Sequence, residues 1–182
     1  EDSLFVKDKN PNLLNKYKKS LLKLKKKFLL SKIKNHKFYK NFHTNFYKSY
    51  HYSLYYYLKY LTKDFNIVSK SLNSLISEGK VLKKNEVFQS EMFIKKAKKN
   101  FEKNFENFDC FVIPTTSSYA PLIGDEEKKD TCLIWNCFGY PCINLPIYTF
   151  KKKNLPSGLM LVGKKFSDLW LIDFAKDIKK FL

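Results

Sequence analysis

Three short, uninterrupted apolar runs constrain this chain most: CFVI at 110–113, CINLPI at 142–147 and GLMLVG at 158–163. Proline or glycine bounds each of them, and none alternates with polar residues, the pattern of strands covered on both faces. Such strands need helices around them, and 3.6-residue periodicity supplies these. Leu13, Tyr17, Leu21, Leu24 and Phe28 mark an amphipathic helix over 11–28, with Asn10 and Pro11 as N-cap and first helical residue. A Tyr- and Phe-dense helix is expected over 38–61, its rings mostly in a core, and a third over 66–77 stopping at Gly79 as a left-handed C-terminal residue. A fourth, over 85–107, carries the stripe Ile94, Ala97, Phe101, Phe105 and Phe108. A short helix over 127–138 separates the first two strands, and Ser167 caps a last helix with Leu171, Ala175, Ile178 and Leu182 on its apolar edge. The expected fold class is α/β, a mixed sheet flanked by helices. It forms one domain portion over 1–182, with 1–108 mainly helical and 109–182 carrying strands and helices. No internal repeat or Gly/Ser linker divides it.

The net charge of +18, with twelve Tyr and seventeen Phe, raises nucleic-acid binding as a role to weigh. Two features count against it. All 35 basic residues are Lys and none is Arg, although bidentate contact with phosphate or guanine favours Arg. The abundance of Asn, Ile, Phe and Tyr, which share AT-rich codons with Lys, makes gene base composition a sufficient cause. The excess also sits apart from the strands: residues 109–182 hold ten Lys against eight acidic residues, and residues 1–108 hold twenty-five against nine. Lys or Asp interrupts every apolar stretch, so no membrane span is expected. The chain opens at Glu1 without a signal-peptide pattern, which reads as a cut in a cytoplasmic protein. Cys110, Cys132, Cys137 and Cys142 lack zinc-site spacing, and His36, His43 and His51 are distant. The thiols are expected reduced and structural, with Cys110 and Cys142 as small buried hydrophobes in their strands. No metal or cofactor is expected.

Four blocks then carry a family resemblance. DCFVIPTTSSYAP (109–121), WNCFGYPCINLPI (135–147), LPSGLMLVG (155–163) and FSDLWLIDFA (166–175) follow one another in order. Together they resemble the C-terminal part of the amidase-signature family: Asp, apolar strand, Pro-Thr and Ala-Pro; then Asn-x-x-Gly-x-Pro; then Leu-Pro-x-Gly; then the Phe-x-Asp that opens the last helix. The match is close over about 70 residues, and residues 1–65 share only helical character. Independently of the resemblance, Pro114 withholds a donor and ends its strand. Gly139 and Pro141 make a tight helix-to-strand turn, and Gly158 and Gly163 bracket a strand closely approached by its neighbours.

The resemblance implies attack on a linear carbon–nitrogen amide by a serine activated through a cis-linked serine and a lysine, beside a Gly/Ser-rich oxyanion loop. This chain has five glycines and no such loop, so no catalytic residue is assigned within it. Ser117 and Ser118 lack the glycine neighbours that would free backbone amides for an oxyanion. By this reading the catalytic segment lies upstream, and the chain alone is inactive. Thr115 and Thr116 at a strand end, Trp135 and Asn136 at a helix end, and Asp130 as a partner for a substrate amine are the expected substrate contacts. The implied partners are a small amide and the missing N-terminal catalytic segment, with a homodimer left open and nucleic acid disfavoured. Within the family the alternative is the glutaminase subunit of a tRNA-dependent amidotransferase. Trp135 before Asn136, the Gly124-Asp125 pair, and Met160 where glutamine is usual incline toward the general amidases. A basic binding module without catalysis is the reading from a different class.

Overall fold

The computed structural model describes residues 10–32, 41–61, 68–120, 123, 132–150 and 155–182. The elements run α1 (Pro11–Lys25), α2 (Phe42–Leu61), α3 (Lys70–Lys80), α4 (Lys84–Phe105), β1 (Cys110–Pro114), α5 (Leu133–Phe138), β2 (Cys142–Phe150), β3 (Leu155–Gly163) and α6 (Asp168–Lys179). They fall into two compact units, residues 37–102 forming one and residues 1–36 with 103–182 the other.

The second of these units is built on the three apolar runs. They pair in the order β1-β3-β2, and both pairings are antiparallel. Among the described residues these three strands form an antiparallel stretch of the helix-flanked sheet. Only four residues separate Phe150 from Leu155, and a parallel crossover takes a dozen or more. Registers such as Val112↔Leu161 and Ile143↔Leu161 put Val112, Ile143, Leu145, Leu159 and Leu161 on one face. That face packs on Leu24 of α1 and Leu171, Ala175 and Ile178 of α6. Two phenols tie α1 to the sheet: Tyr17 donates to the Val112 carbonyl at 2.8 Å, and Tyr148 donates to Ser20 Oγ at 2.9 Å. Desolvation drives both phenol pKa values upward, so the donors stay protonated.

The opposite face is aromatic. Phe111 meets Phe105 edge-on at 4.2 Å and stacks on Trp135 at 6.2 Å, and Tyr140 lies 4.7 Å from Phe105. Burying a ring such as Phe111 or Phe138 contributes roughly 1.5–3 kcal/mol, which explains why a strand this short holds its place. Gly139 ends α5 at φ 72°, and its N–H returns to the Trp135 carbonyl at 2.9 Å. This is the tight turn expected there, reached through the left-handed conformation that glycine takes without strain. Asn10 caps α1 by accepting from the Asn12 N–H at 3.0 Å, with Pro11 in the first turn. Ser167 occupies the N-cap of α6 as expected, but its hydroxyl donates to the Lys164 carbonyl at 2.7 Å and makes no capping bond.

In the helical unit, Ser69 Oγ caps α3 through the Leu72 N–H at 3.2 Å. Gly79 lies inside α3 and does not adopt the left-handed C-terminal conformation expected of it. A Cβ there would run into the His51 backbone carbonyl of α2, so the glycine is needed for close helix approach. Beside it His51 Nδ1 lies 3.0 Å from the Glu78 carboxylate. The rings of α2 are less buried than expected: Phe42 is in a core, whereas Tyr47, Tyr50, Tyr56 and Tyr57 are exposed. No helix among the described residues is long and apolar enough to cross a membrane.

Candidate functional site

The polar end of the sheet is built by three strands. Pro114 closes β1, and the next residue keeps the ladder by one more bond, Thr115 N–H to the Gly158 carbonyl at 3.1 Å. That register puts Thr115 on the aromatic face together with Asn144, whose partner across β2 and β3 is Met160. Thr115 Oγ1 donates to Asn144 Oδ1 at 2.6 Å. Thr116 Oγ1 donates to the Ser118 carbonyl at 2.7 Å and lies 3.4 Å from Ser157 Oγ. Gly158 makes this convergence possible, because a Cβ there would strike the Asn144 side-chain oxygen and come within 2.6 Å of the Leu145 carbonyl. The close approach coincides with a register shift in β2 between Leu145 and Tyr148, where Pro146 interrupts the ladder.

Four of the five expected contact residues lie among the described ones, in two places. Thr115 and Thr116 come together at the sheet end. Trp135 is only 1% exposed, with its ring stacked on Phe111. Asn136 is exposed, and its carbonyl accepts the Gly139 N–H at 3.2 Å. Asp130 lies outside the described residues. Sequence reasoning missed Asn144 and Ser157. The available signal was a carboxamide within the apolar CINLPI run, which marks the one face of β2 that the structure leaves exposed at Cys142, Asn144 and Pro146.

The chemistry of this cluster is that of neutral donors and acceptors. Two threonines, a serine and a carboxamide can grip an amide or carboxyl group, since the Asn side chain both donates and accepts. Thr115 bonds to Asn144, and Thr116 bonds to the Ser118 carbonyl and lies near Ser157. Nearby, Ser118 Oγ donates to the Tyr119 carbonyl at 3.0 Å, and the Ser117 carbonyl accepts the Asn10 N–H at 2.9 Å. His51, with its Glu78 partner, belongs to the helical unit.

All four cysteines are free thiols. Burial pushes the Cys110 thiol up to about 12, the expected behaviour of an inert core thiol. Cys142 is exposed, contrary to its expected burial, at the start of β2, an edge strand among the described residues; its sulfur is nonetheless desolvated enough to push this thiol up to about 12 as well. Cys132 Sγ sits 3.8 Å from Met160 Sδ, so Met160 is packed against sulfur on the aromatic face. No group of three or more His, Cys, Asp or Glu among the described residues could hold a metal.

No family model matches the chain. Among curated proteins it is 37% identical over 87 residues to the glutamyl-tRNA(Gln) amidotransferase A-subunit of Thermodesulfovibrio yellowstonii, a match covering 43% of this chain and 18% of the relative. The corresponding protein of Saccharolobus solfataricus is 29% identical over 91 residues, covering 46% and 19%. These matches span about a fifth of each relative's length. Among solved structures, a substrate complex of 6-aminohexanoate cyclic dimer hydrolase superposes with a TM-score of 0.77 at 13% identity, covering 95% of this chain and 42% of that one. Kluyveromyces lactis allophanate hydrolase gives 0.75 at 19% identity, covering 100% and 31%. A bacterial aryl acylamidase of the amidase-signature family gives 0.69 at 14% identity, covering 99% and 44%.

Proposed function

We propose, for a chain that belongs to the amidase-signature family and carries the C-terminal part of its fold, that it forms the substrate-holding wall of an enzyme hydrolysing linear carbon–nitrogen amide bonds. The observation that carries this reading is the Thr115–Asn144 hydrogen bond of 2.6 Å seated on Gly158, with Thr116 and Ser157 alongside. This patch presents neutral polar groups at the open end of a rigid sheet, suited to orienting a carboxamide and unable to attack it. The attacking serine, the cis-linked serine and lysine that activate it, and the oxyanion loop come from polypeptide outside these 182 residues. Asp130 is assigned to a substrate amine.

Labelling with a fluorophosphonate probe tests the division of labour. The 182-residue chain should remain unlabelled, whereas a polypeptide joining it to a segment with a Gly/Ser-rich serine loop should label and release ammonia from a primary amide. In that joined enzyme Asn144→Ala should raise KM several-fold, with kcat reduced less, because it removes a group that holds ground state and transition state alike. Acyl-enzyme formation by the chain alone, or an unchanged KM in the variant, defeats the proposal.

A second reading is favoured by the names of the sequence relatives, which are amidotransferase A-subunits. In it the amide is glutamine and the ammonia passes to a partner enzyme. Glutamine hydrolysis that accelerates on adding the other components of the amidotransferase selects this reading; turnover of aryl or aliphatic amides without such partners selects the general amidase.

A further inference from the structure

We infer that Phe166 and the outer first turns of α6 form the docking face for the polypeptide that supplies the rest of the amidase-signature fold. Phe166 has φ 62° and is the one non-glycine residue at positive φ among the described residues. For an L-residue with a bulky side chain this conformation costs on the order of 1–2 kcal/mol. The turn is locked by Ser167, whose N–H and Oγ both donate to the Lys164 carbonyl, at 3.2 and 2.7 Å. The strained residue gains almost no burial in return, since Phe166 is 98% exposed. Strain held in place by its surroundings, with an unburied ring at its tip, marks a residue positioned for contact with something else.

The neighbouring helix extends the same surface. Leu169 is 81% exposed, and Trp170 and Ile172 are each more than 40% exposed. The opposite edge of α6 is already spent on the core through Leu171, Ala175 and Ile178. A surface helix normally keeps its outer face polar; the later turns of α6 do so with the Asp173–Lys176 and Asp177–Lys180 ion pairs, whereas its first turns put Leu169, Trp170 and Ile172 outward. Trp170 stacks on Phe174 at 4.7 Å, which fixes the indole for contact. Asp168, Asp173 and Lys164 border the patch, giving the apolar centre and charged rim of an interface.

The occupant follows from how much of the fold is unaccounted for. The chain aligns over nearly its whole length, yet covers only 42% of the cyclic dimer hydrolase and 44% of the aryl acylamidase. More than half of each of those folds is polypeptide with no counterpart here. Covering the outer α6 surface is work for that polypeptide, which by the proposed function, on which this inference rests, also carries the serine.

The test places a benzophenone photocrosslinker at position 169 of the chain expressed in its own cells, with a control at Lys95 in the helical unit, and identifies adducts by mass spectrometry. Adducts at 169 with peptides of an amidase-signature polypeptide, absent from the control, are expected. Adducts only with a second copy of this chain or with an unrelated protein, or no adduct at all, overturn the inference. Phe166→Gly keeps the backbone conformation and removes the ring, so adduct yield should fall at least tenfold while the melting temperature of the isolated chain stays level or rises. A lower melting temperature would show that the ring serves this chain's own fold and would also overturn it. If the crosslinked polypeptide fails to react with a fluorophosphonate, the amidase reading fails and the docking face stands.

Discussion

Replacing Gly158 with Ala tests the geometry on which the site depends. Away from close contacts, Gly→Ala in a strand stabilises by about 0.4–1 kcal/mol, because the unfolded chain loses freedom. Here the new methyl would meet the Asn144 side-chain oxygen and would stand 2.6 Å from the Leu145 carbonyl. Two oxygens inside van der Waals contact, one of them backbone in a paired strand, force β2 and β3 apart, at about 1–3 kcal/mol for overpacking. The net expectation is a loss of about 1–2 kcal/mol, or roughly 2–8 °C in melting temperature for a domain of this size. Urea melts followed by circular dichroism measure it. The double variant Asn144→Ala with Gly158→Ala separates the two oxygens. Removing the carboxamide relieves its share, but the Leu145 carbonyl cannot leave the ladder, so rescue should be partial. A neutral or stabilising Gly158→Ala, or complete rescue by the second substitution, would refute the argument that backbone crowding at the β2 bulge fixes this glycine.

Gly79→Ala should destabilise by about 1 kcal/mol or more despite the higher helix propensity of alanine, because its methyl meets the His51 backbone; faster amide exchange in α2 and α3 is the readout, and slower exchange contradicts it. Tyr148→Phe strands the buried Ser20 hydroxyl, bonded to the phenol at 2.9 Å, and should cost about 1–3 kcal/mol in a denaturant melt. The double variant with Ser20→Ala should recover much of that loss. Cys110, lifted from 9.0 to about 12 by burial, holds its proton more tightly when folded than when unfolded. Its contribution to stability is therefore complete below about pH 9 and is lost as pH rises toward 12. Burial lifts Cys142 to about 12 as well, so Cys110→Ala should lessen, and not abolish, the fall in stability across that window, read from urea melts at intervals between about pH 9 and pH 12.

Legibility followed the range of the forces involved. The three strands were readable because continuous apolar runs ended by Pro or Gly are a local signal, and β1, β2 and β3 begin or end within three residues of those runs. Strand direction was not readable: the apolar runs 142–147 and 158–163 stand ten residues apart, and only the extension of β2 to Phe150 and of β3 back to Leu155 shortens that link to four. Gly79 shows how a local signal misleads. A glycine near the end of an apolar stripe looks like a helix stop, yet this one is set by the backbone of α2, some thirty residues earlier in the chain.

The candidate site divides along the same line. Thr115 and Thr116 follow directly from Pro114, whose missing donor ends β1 wherever the rest of the chain goes. Asn144 and Ser157 enter only through register: each lies on a different strand, and the bulge after Leu145 changes which β2 residues face β3. A one-residue slip would turn Asn144 toward Leu24 and α6 and leave its carboxamide among aliphatic side chains. The hydrogen bond from Thr115 is thus both a feature of the site and a penalty against the wrong register, which gives the sheet a reason to keep Asn144 independent of any substrate. The two roles separate experimentally. Asn144→Ala tolerates either environment and should preserve the fold while impairing substrate binding, whereas Asn144→Asp is exposed in the native register, keeps an acceptor for Thr115 and should preserve the fold while making a slip toward Leu24 costlier still.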